Sequence, residues 1–409
     1  MKRISLTPPD SINATIQLPS SKSICNRALI INALSKGKNL PENLSDCDDT
    51  QVMIHALREM PSTIDIMAAG TAMRFLSAYL SVTDGVHVIT GTQRMQQRPI
   101  RILVDALRTL GADIEYIGQE GYPPLKINGR TLKGDSISLP GNVSSQYISA
   151  LLMVGPVLEK GLRLTLTGEI ISRPYIDLTL ELMKHFGAKA QWTAENELTV
   201  EACAYQPRPY AIESDWSAAS YWYEVAALSK EAAVVLPRLS ENSLQGDAKV
   251  AALFENLGVK TTYEGNRVVL SKHEQRVSHL EYNFIGQPDL AQTLVVTCAM
   301  MGIPFRFSGL QSLKIKETDR MAALTAEMKK LGYRITEAEG SMLLWNGERC
   351  EADECPAIDT YEDHRMAMAF APASIRLGKL SINHPEVVSK SYPRFWEDLS
   401  AAGFCIKED

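Results

Sequence analysis

The sequence lacks the cysteine spacings that mark disulfide-rich or zinc-binding proteins. Its seven cysteines are scattered, none forms a CxxC pair, and Cys350 and Cys355 have no matching histidine or cysteine pair. A disulfide framework or a structural zinc site would need such pairs. We therefore expect reduced thiols, no bound metal and a cytoplasmic location.

Long apolar runs and a surplus of basic residues are also missing. No run reaches the roughly 20 apolar residues that span a membrane, and residues 1–9 contain no apolar signal-peptide core. The formal net charge is −6, whereas general nucleic-acid binders carry a basic surplus. We therefore expect no membrane and no nucleic-acid partner, and any anion site must be local.

The fingerprints of nucleotide binding are absent as well. Neither the GxxxxGK[ST] phosphate loop nor the glycine-rich dinucleotide motif occurs. ATP and NAD chemistry thus have no support in the sequence, and we expect no cofactor.

The sequence does contain a repeating pattern of helices. Apolar helices rich in Ala, Leu and Met are predicted at six places, namely Ser23–Leu34, Thr71–Leu80, Ser145–Val157, Ser217–Leu228, Leu290–Met301 and His364–Arg376. Amphipathic helices alternate with them, and five of these end at glycines spaced by about 71 to 76 residues, namely Gly111, Gly187, Gly258, Gly332 and Gly403. The sixth amphipathic helix, Thr50–Met60, ends before Pro61. Strand-like runs lie between the helices, among them Asp113–Ile117, Gly134–Leu139, Leu162–Thr167, Arg267–Leu270 and Arg334–Ala338.

This repeat predicts an α/β fold of six units of roughly 73 residues, each with two helices and about four strands, the first unit being shortened. A solenoid would also show a fixed period, but long mixed α/β units fit two closed three-unit domains better. We expect one domain over residues 20–212 and the other over residues 1–19 and 213–409. Residues 2–18 would return to the second domain as a strand, and a ligand cleft would lie between the domains.

Polar and basic residues collect at the predicted helix starts, where unpaired backbone N–H groups favour anions. They include Lys22, Ser23, Arg27, Gly70, Arg74, Arg98, Ser144, Ser145, Gln146, Ser172, Tyr175, Arg365 and Lys390. Each one alone has a structural explanation, because Ser and Asp are ordinary helix caps and Pro is common in the first turn. Together, so many cations at the helix starts of an acidic protein predict a site for at least two anionic groups.

The stretch Lys314–Arg320 holds two lysines, two acids and an arginine within seven residues. If a helix begins near Thr318, then Lys316, Glu317 and Arg320 gather at its first turn, beside the positive end of the helix dipole. A capped and solvated helix start is the alternative for this stretch taken by itself.

Asp289 and Glu317 are the best-placed acids, one at each of two helix starts. Two carboxylates among cations can divide the roles of general base and general acid if their environments differ. For Asp289, a plain capping role is an equal alternative. For Asp48 and Asp49, capping is at least as good as a catalytic role.

Several segments form a specific pattern in their order and spacing: Ser21–Arg27, Ala69–Arg74, Arg98–Ile100, Gly141–Gln146, Arg173–Asp177, Lys316–Arg320, Asp363–Met368 and Lys390. Over essentially the whole chain, this pattern resembles that of the 5-enolpyruvylshikimate-3-phosphate synthases, a family of enolpyruvyl transferases. The resemblance implies two domains, each an inside-out α/β barrel of three βαβαββ units, with the cleft between them. It also implies transfer of the enolpyruvyl group of phosphoenolpyruvate to the 5-hydroxyl of 3-phosphoshikimate, with release of phosphate. No metal or redox cofactor is implied, and we expect a monomer.

The resemblance further implies roles for the residues at matching positions. Those expected to bind 3-phosphoshikimate are Lys22, Ser23, Arg27, Ser144, Ser145, Gln146, Ser172, Tyr175, Asp289, Ser312 and Lys316. Those expected to bind phosphoenolpyruvate are Lys22, Gly70, Arg98, Gln146, Arg320, Arg365 and Lys390. Asp289 would take the 5-hydroxyl proton, Glu317 would deliver a proton to the methylene carbon, and Lys22 would act between both substrates.

Four positions depart from the pattern of that family. Ala68 stands where the family usually has Asn, Phe75 where Pro is common, Ser20 where Gly is common, and Ser312 where Asn is frequent. Ala68 removes a polar contact near phosphoenolpyruvate. None of the four changes removes a proposed proton carrier or cation.

Two alternatives remain open at this point. The sister transferase that acts on UDP-N-acetylglucosamine shares the fold, but it generally carries a Cys before its Arg-Pro pair, whereas Arg94–Pro99 contains none. A non-catalytic binding protein on the same fold is the second alternative, motivated by Ala68 and Ser312.

Overall fold

The computed structural model describes residues 2–408 and separates them into two compact units. The N-terminal unit spans Ser20–Glu213, and the C-terminal unit joins the segment ending at Pro19 to the segment beginning at Ser214. This boundary lies one residue from the expected one. Among the described residues, no helix is long and apolar enough to cross a membrane.

The chain opens with two strands that belong to the C-terminal unit, β1 (Arg3–Thr7) and β2 (Ile12–Thr15). It then enters the N-terminal unit at Ser20.

All residues of the N-terminal unit are described, and they form seven α-helices and two four-stranded sheets. The helices are α1 (Lys22–Leu34), α2 (Asp48–Glu59), α3 (Gly70–Ser81), α4 (Gln93–Gln96), α5 (Arg101–Thr109), α6 (Ser145–Val154) and α7 (Arg173–His185). The strands are β3 (Thr63–Asp65), β4 (Gly85–Thr90), β5 (Asp113–Tyr116), β6 (Leu125–Gly129), β7 (Asp135–Pro140), β8 (Leu162–Thr167), β9 (Ala190–Ala194) and β10 (Glu197–Val200). Within this unit the pair α1 and α2 comes without a sheet of its own, so the first repeat is indeed the short one.

The described part of the C-terminal unit adds seven α-helices and ten strands to β1 and β2. The helices are α8 (Trp216–Leu228), α9 (Val250–Asn256), α10 (Ala291–Met301), α11 (Arg320–Lys330), α12 (His364–Phe370), α13 (Ser374–Leu377) and α14 (Phe395–Ala401). The strands are β11 (Ala232–Pro237), β12 (Val259–Glu264), β13 (Arg267–Lys272), β14 (Leu280–Asn283), β15 (Phe305–Ser308), β16 (Thr336–Ala338), β17 (Met342–Trp345), β18 (Ala357–Ile358), β19 (Leu380–Asn383) and β20 (Cys405–Glu408).

The sheets of both units share one topology. Their orders are β3-β4-β6-β5, β7-β8-β10-β9, β2-β11-β13-β12, β14-β15-β17-β16 and β18-β19-β1-β20. In each sheet the first two strands are parallel and the remaining neighbours are antiparallel. The opening strands complete two of these sheets, because β2 lies parallel to β11 and β1 lies between β19 and β20. This pairing explains why the C-terminal unit is discontinuous in sequence.

The apolar helices α1, α3, α6, α8, α10 and α12 contribute to the two cores. A helix that is hydrophobic on all faces needs burial on all faces, and these helices meet that need. In α3, α6 and α8 one residue each is not buried, namely Thr71, Gln146 and Ser217, and all three lie in the first turn. These three helices are thus accessible at their N-terminal ends, and candidate site residues lie at those of α3 and α6.

The amphipathic helices end as the sequence predicts. Gly111, Gly187, Gly258, Gly332 and Gly403 all have positive φ, between 84° and 105°. Met60 takes the same left-handed conformation at the end of α2, with φ of 43°. A glycine after the helix allows the chain to turn directly into the next strand without a side-chain clash.

Two predicted helices are shorter than expected, and proline accounts for both differences. Residues 145–157 form α6 to Val154 and then a 3-10 turn, Gly155–Val157, that contains Pro156. Residues 364–376 form α12 to Phe370, followed by a 3-10 turn with Pro372 and the short α13. Proline has no N–H to continue the α-helical hydrogen bonds.

Candidate active site

In the N-terminal unit, the start of α1 presents Lys22 and Ser23. Its first turn contains no acidic residue, so nothing in that turn offsets the partial positive charge of the helix end. Lys22 Nζ lies 3.2 Å from Oδ2 of the buried Asp49, in the first turn of α2. Asp49 is therefore an ion-pair partner that holds Lys22 in place, a role beyond the capping weighed from the sequence.

Arg27, one turn further along α1, is buried at 2 % exposure. Its Nε donates to Thr179 Oγ1 at 2.7 Å, Nη2 to Ser149 Oγ at 3.0 Å, and Nη1 to the carbonyl of Ser23 at 2.9 Å. The first two bonds tie α1 to α7 and α6. Burial lowers the pKa of Arg27 to about 10. The acceptors around this buried guanidinium are neutral, which leaves its positive charge available to an anionic ligand.

Aromatic rings also lie against Arg27. Its Cζ is 5.2 Å from the centre of the Phe75 ring and 5.9 Å from that of the Tyr175 ring. Phe75 is the residue that replaces the proline common in the resembling family. The replacement therefore brings an aromatic face to a predicted substrate-binding arginine.

Gly70, the first residue of α3, is approached closely by two guanidinium groups. A Cβ at this position would meet Arg98 Nη1 at 2.5 Å and Arg74 Nη1 at 3.1 Å. Arg74 is itself buried, with Nη1 donating to the Gly70 carbonyl at 3.0 Å and its Cζ 5.8 Å from the Tyr147 ring centre. A side chain at this position would thus displace the Arg98 guanidinium, which reaches the start of α3.

The start of α6 lies beside the start of α3. Gln146 Nε2 donates to Thr71 Oγ1 at 3.0 Å. Ser144 caps α6, accepting from the Gln146 N–H at 3.4 Å, and Ser145 is buried in the first turn. The structure therefore brings these three predicted residues to one helix start.

Ser172 is the cap residue of α7 and adopts a left-handed conformation with φ of 54°. This conformation is unfavourable for a residue with a Cβ and is retained where the surroundings impose it. Ser172 is buried, and Tyr175 follows in the first turn of α7. Among the predicted residues of this unit, Ser172 is the one whose backbone is strained.

In the C-terminal unit, the polar cluster is centred on Asp289, in the 3-10 turn that leads into α10. Its Oδ1 accepts from Arg320 Nη1 at 2.9 Å, and its Oδ2 accepts from Arg365 Nη2 at 2.9 Å. Lys316 Nζ lies 3.8 Å from Oδ1. Burial by itself would raise the pKa of Asp289, but Arg365, Lys316 and Arg320 together hold it well below its usual value.

Arg320 joins three carboxylates, although it is only 2 % exposed. Besides Asp289, it donates from Nε to Asp363 Oδ2 at 2.7 Å and from Nη2 to Glu317 Oε2 at 3.1 Å. Burial opposes its charge, but Asp363, Glu317 and Asp289 raise the pKa of Arg320 above its usual value. Glu317 also pairs with Lys390, at 2.9 Å from Oε1 to Nζ.

The ion pairs of this cluster leave a surplus of positive charge. Four cations, Lys316, Arg320, Arg365 and Lys390, pair with three carboxylates, Asp289, Glu317 and Asp363. The cluster is therefore formally +1 and still exposes part of Asp289, Glu317 and Lys390. Such an arrangement suits an anionic ligand that competes with the carboxylates for the same cations.

The charged stretch of residues 314–320 differs from its prediction in one respect. The helix begins at Arg320, not near Thr318, and Asp319 caps it by accepting from the N–H groups of Met321 and Ala322 at 3.1 Å. Lys316 and Glu317 therefore lie in the segment before the helix. The capping carboxylate at 319 stops the helix from starting earlier.

Lys314 and Ser312, both close in sequence to Lys316, lie apart from the ion-pair cluster around Asp289 and Arg320. Lys314 pairs with Glu337. Ser312 lies in the 3-10 turn Gln311–Ile315, and no hydrogen bond joins it to the cluster within the described part of the chain. The role predicted for Ser312 thus has no support from a contact.

Comparison with known proteins identifies the family to which the chain belongs. The family model described as "EPSP synthase (3-phosphoshikimate 1-carboxyvinyltransferase)" matches residues 6–66 and 61–399. A protein of Bacteroides fragilis named 3-phosphoshikimate 1-carboxyvinyltransferase is 62 % identical over 405 residues, covering 99 % of each chain. One of the same name from Sulfurovum sp. is 35 % identical, covering 98 % of this chain and 99 % of its own. The chain belongs to the EPSP synthase family.

Solved structures agree with this fold. An EPSP synthase from Acinetobacter baumannii superposes with a TM-score of 0.79 at 23 % identity, covering all of both chains. The enolpyruvyl transferase NikO from Streptomyces tendae reaches a TM-score of 0.75 at 13 % identity, covering 100 % of this chain and 99 % of its own. At such identities the likeness concerns the fold, and it confirms the predicted two-domain enolpyruvyl transferase architecture.

Sequence reasoning missed several residues of this EPSP synthase family member that support the site. They are Ser149 and Thr179, which hold Arg27, Tyr221, whose hydroxyl accepts from Arg365 Nη1 at 3.3 Å, and Asp363, which holds Arg320. Polar residues inside otherwise apolar helices were the available signal for Ser149 and Tyr221. For Asp363, the nearby Arg365 marked the segment as a candidate. The residue that Asp363 pairs with, Arg320, lies 43 residues away in the sequence.

Proposed function

We propose that this protein transfers the enolpyruvyl group of phosphoenolpyruvate to the 5-hydroxyl of 3-phosphoshikimate, giving 5-enolpyruvylshikimate 3-phosphate and phosphate. The observation that carries the proposal is the pair of carboxylates, Asp289 and Glu317, bridged by the buried Arg320 among a surplus of cations. Family membership and the full-length relative from Bacteroides fragilis support the same reaction.

The N-terminal unit supplies the groups that we assign to 3-phosphoshikimate. They are Lys22, Ser23, Arg27, Ser144, Ser145, Gln146, Ser172 and Tyr175. Hydroxyls and N–H groups at the starts of α1, α6 and α7 suit a phosphate and ring hydroxyls, and the buried charge of Arg27 suits a carboxylate. From the C-terminal unit we add Asp289 and Lys316, and we keep Ser312 as the weakest member.

Residues of both units, most of them cations, are assigned to phosphoenolpyruvate. The residues are Lys22, Gly70, Arg98, Gln146, Arg320, Arg365 and Lys390. Phosphoenolpyruvate carries a carboxylate and a phosphate, so it needs several cations at separate points. Arg98 Nη1 lies 2.5 Å from where a Cβ at Gly70 would stand, and the absence of a side chain there favours a contact between ligand and backbone.

The reaction needs only proton transfers, one bond formed and one broken. In the addition step, the 5-oxygen bonds to C2 of phosphoenolpyruvate, its proton passes to Asp289, and Glu317 protonates the methylene carbon to a methyl group. In the elimination step, the carboxylate left on Glu317 takes a proton back from the methyl group, and the bond from C2 to the phosphate oxygen breaks. The vinyl group is thereby restored on the new ether, and phosphate departs.

Ligand binding would also prepare Asp289 for its role as a base. In the free protein, Arg365, Lys316 and Arg320 keep the pKa of this carboxyl low, which makes it a weak proton acceptor. The anionic groups of phosphoenolpyruvate compete for Arg320 and Arg365. As those cations are shared with the ligand, the pKa of Asp289 rises and the carboxylate becomes a stronger base.

The first test measures phosphate release from phosphoenolpyruvate with 3-phosphoshikimate, with UDP-N-acetylglucosamine and without an acceptor. We expect phosphate release when 3-phosphoshikimate is the acceptor, and none with the UDP sugar or without an acceptor. Release only with the UDP sugar would assign the protein to the sister transferase, and binding of both ligands without any release would make it a non-catalytic binding protein.

A variant tests the role of Glu317 directly. Glu317→Gln should lower turnover by about 100-fold or more, with smaller changes in KM, because a proton carrier is lost while shape is kept. Glu337→Gln is the matched control, since Glu337 also pairs with a lysine but lies outside the cluster. Equal turnover in the Glu317 variant and the control would refute the assignment.

The same proposal includes a monomeric chain in the cytoplasm. The family's two substrates are small molecules, and neither a membrane nor a nucleic acid takes part in the reaction.

A further inference from the structure

The turn just before α12 has an unusual backbone. Tyr361 and Glu362 are consecutive, neither is glycine, and both are left-handed, with φ of 53° and 57°. A residue with a Cβ is disfavoured in this region, and two in succession persist only where their surroundings impose the conformation. Some part of the structure must therefore hold this turn.

A backbone hydrogen bond from the Asp363 N–H to the Thr360 carbonyl, at 2.8 Å, closes this turn, and a side-chain hydrogen bond ties the turn to α11. Tyr361 Oη donates at 2.6 Å to Oε1 of Glu327, a carboxylate with no solvent exposure. The other oxygen, Oε2, accepts from the Asp359 N–H at 3.0 Å and lies 2.8 Å from Lys330 Nζ. Glu327 thus binds the chain on both sides of Thr360, and Tyr361 is the partner of Oε1.

The residues that follow the turn belong to the candidate site. Asp363 accepts from Arg320 and caps α12 by accepting from the Arg365 N–H at 2.9 Å. Arg365 in turn donates to Asp289. Arg320 and Glu327 are seven residues apart on α11, which places them two turns apart on the same side of the helix. The segment is therefore held to α11 at two points, Arg320–Asp363 and Glu327–Tyr361.

We propose that Tyr361 is a positioning residue for phosphoenolpyruvate binding. Its hydroxyl, bound to Glu327, keeps the left-handed turn in place, and the turn sets the position of Asp363 and Arg365. Tyr361 itself need not touch a substrate. This inference rests on the proposed function, in which Arg365 binds phosphoenolpyruvate.

The test begins with turnover of the wild-type protein, so that a failure of the proposed function is recognised before any variant is compared. Tyr361→Phe then removes the hydroxyl and keeps the ring. A misplacement of a substrate-positioning group by about 1 Å can cost about 100-fold in rate. A partial loosening of Arg365 should therefore raise KM for phosphoenolpyruvate by about tenfold. KM for 3-phosphoshikimate should change less than about twofold, because the residues assigned to it lie mostly in the other unit.

Tyr223→Phe is the matched control. Tyr223 also makes a hydroxyl hydrogen bond, at 3.0 Å to Thr261 Oγ1, but it lies between α8 and β12, away from the turn. Both variants lose one such bond, so both should lower the thermal midpoint, and only Tyr361→Phe should raise KM for phosphoenolpyruvate. If KM stays at the wild-type value in an active Tyr361→Phe enzyme, or rises equally in the control, the proposal is overturned.

Glu362 provides a second test that does not depend on the hydroxyl. Glu362→Val introduces a β-branched side chain that disfavours the left-handed conformation, so it should displace the turn and raise KM for phosphoenolpyruvate. Glu362→Asn loses the same charge but tolerates the left-handed conformation, and it should keep the wild-type KM. An unchanged KM in the valine variant would overturn the proposal, as would an equal rise in both variants, which would point to the charge of Glu362.

Discussion

Asp247 offers a test of the electrostatics around Asp289 through the pH dependence of stability. It lies in the 3-10 turn Gly246–Lys249, is 3 % exposed, and accepts a hydrogen bond from Ser217 Oγ. Burial, reinforced by the charge of Asp289, raises the pKa of Asp247 to about 7, against opposition from Ser217 and Arg365. Asp247→Asn removes the titrating group and keeps its shape.

The size and sign of the effect follow from the two pKa values. The usual value is 3.8, so a folded value of about 7 corresponds to roughly 4 kcal/mol as an upper bound. Between these values the folded protein holds a proton that the unfolded chain has released, so stability falls as pH rises. The loss begins near pH 4 and is complete above about pH 7. The variant lacks this loss.

The assay is urea unfolding followed by tryptophan fluorescence at pH 5, 6, 7 and 8. Four of the five tryptophans, Trp216, Trp222, Trp345 and Trp396, lie in the C-terminal unit with Asp247. We expect the free energy of unfolding of Asp247→Asn, relative to wild type, to rise with pH by up to about 3 kcal/mol across this range. The exposed Asp353 supplies the control Asp353→Asn, whose difference from wild type should stay constant. Parallel pH profiles for Asp247→Asn and wild type would refute the reasoning.

Two glycine substitutions should separate activity from stability. Gly70→Ala places a Cβ 2.5 Å from Arg98 Nη1, so the Arg98 guanidinium must move. Steady-state kinetics should show that KM for phosphoenolpyruvate rises by about tenfold, while the thermal midpoint changes little. Gly258→Ala forces a Cβ into a position with φ of 84° and 2.9 Å from the His273 carbonyl; urea unfolding should show a loss of about 1–2 kcal/mol, with wild-type KM values. The opposite pattern in either variant would contradict the roles given to these glycines.

The features that the sequence predicts well are those set by local chemistry. The period of apolar and amphipathic helices, and the glycines that close them, depend on residues within a few positions of one another, so the six repeats are visible in the chain. The same holds for the N-terminal unit's candidate residues, which lie at helix starts because Ser, Gly and Pro favour those positions. Lys22, Gly70 and Gln146 lie at such starts in the structure.

Features that depend on distant partners could not be predicted in this way. Arg27 is held by Ser149 and Thr179, which lie 122 and 152 residues away, and nothing local indicates either contact. The turn at Tyr361 and Glu362 carries no glycine or asparagine, the residues that indicate a left-handed backbone. The tertiary hydrogen bond that ties it to Glu327, 34 residues away, has no local signal in the sequence.

The reaction in D2O tests the central claim most directly. Because the proposed addition converts the methylene of phosphoenolpyruvate to a methyl group before elimination, proton NMR should show the new enol ether with deuterium in its vinyl methylene. Glu317→Gln should form product slowly, and labelling should slow with it. Absence of the enol ether, or product formed at the wild-type rate without deuterium in that group, would contradict enolpyruvyl transfer by addition and elimination at Asp289 and Glu317.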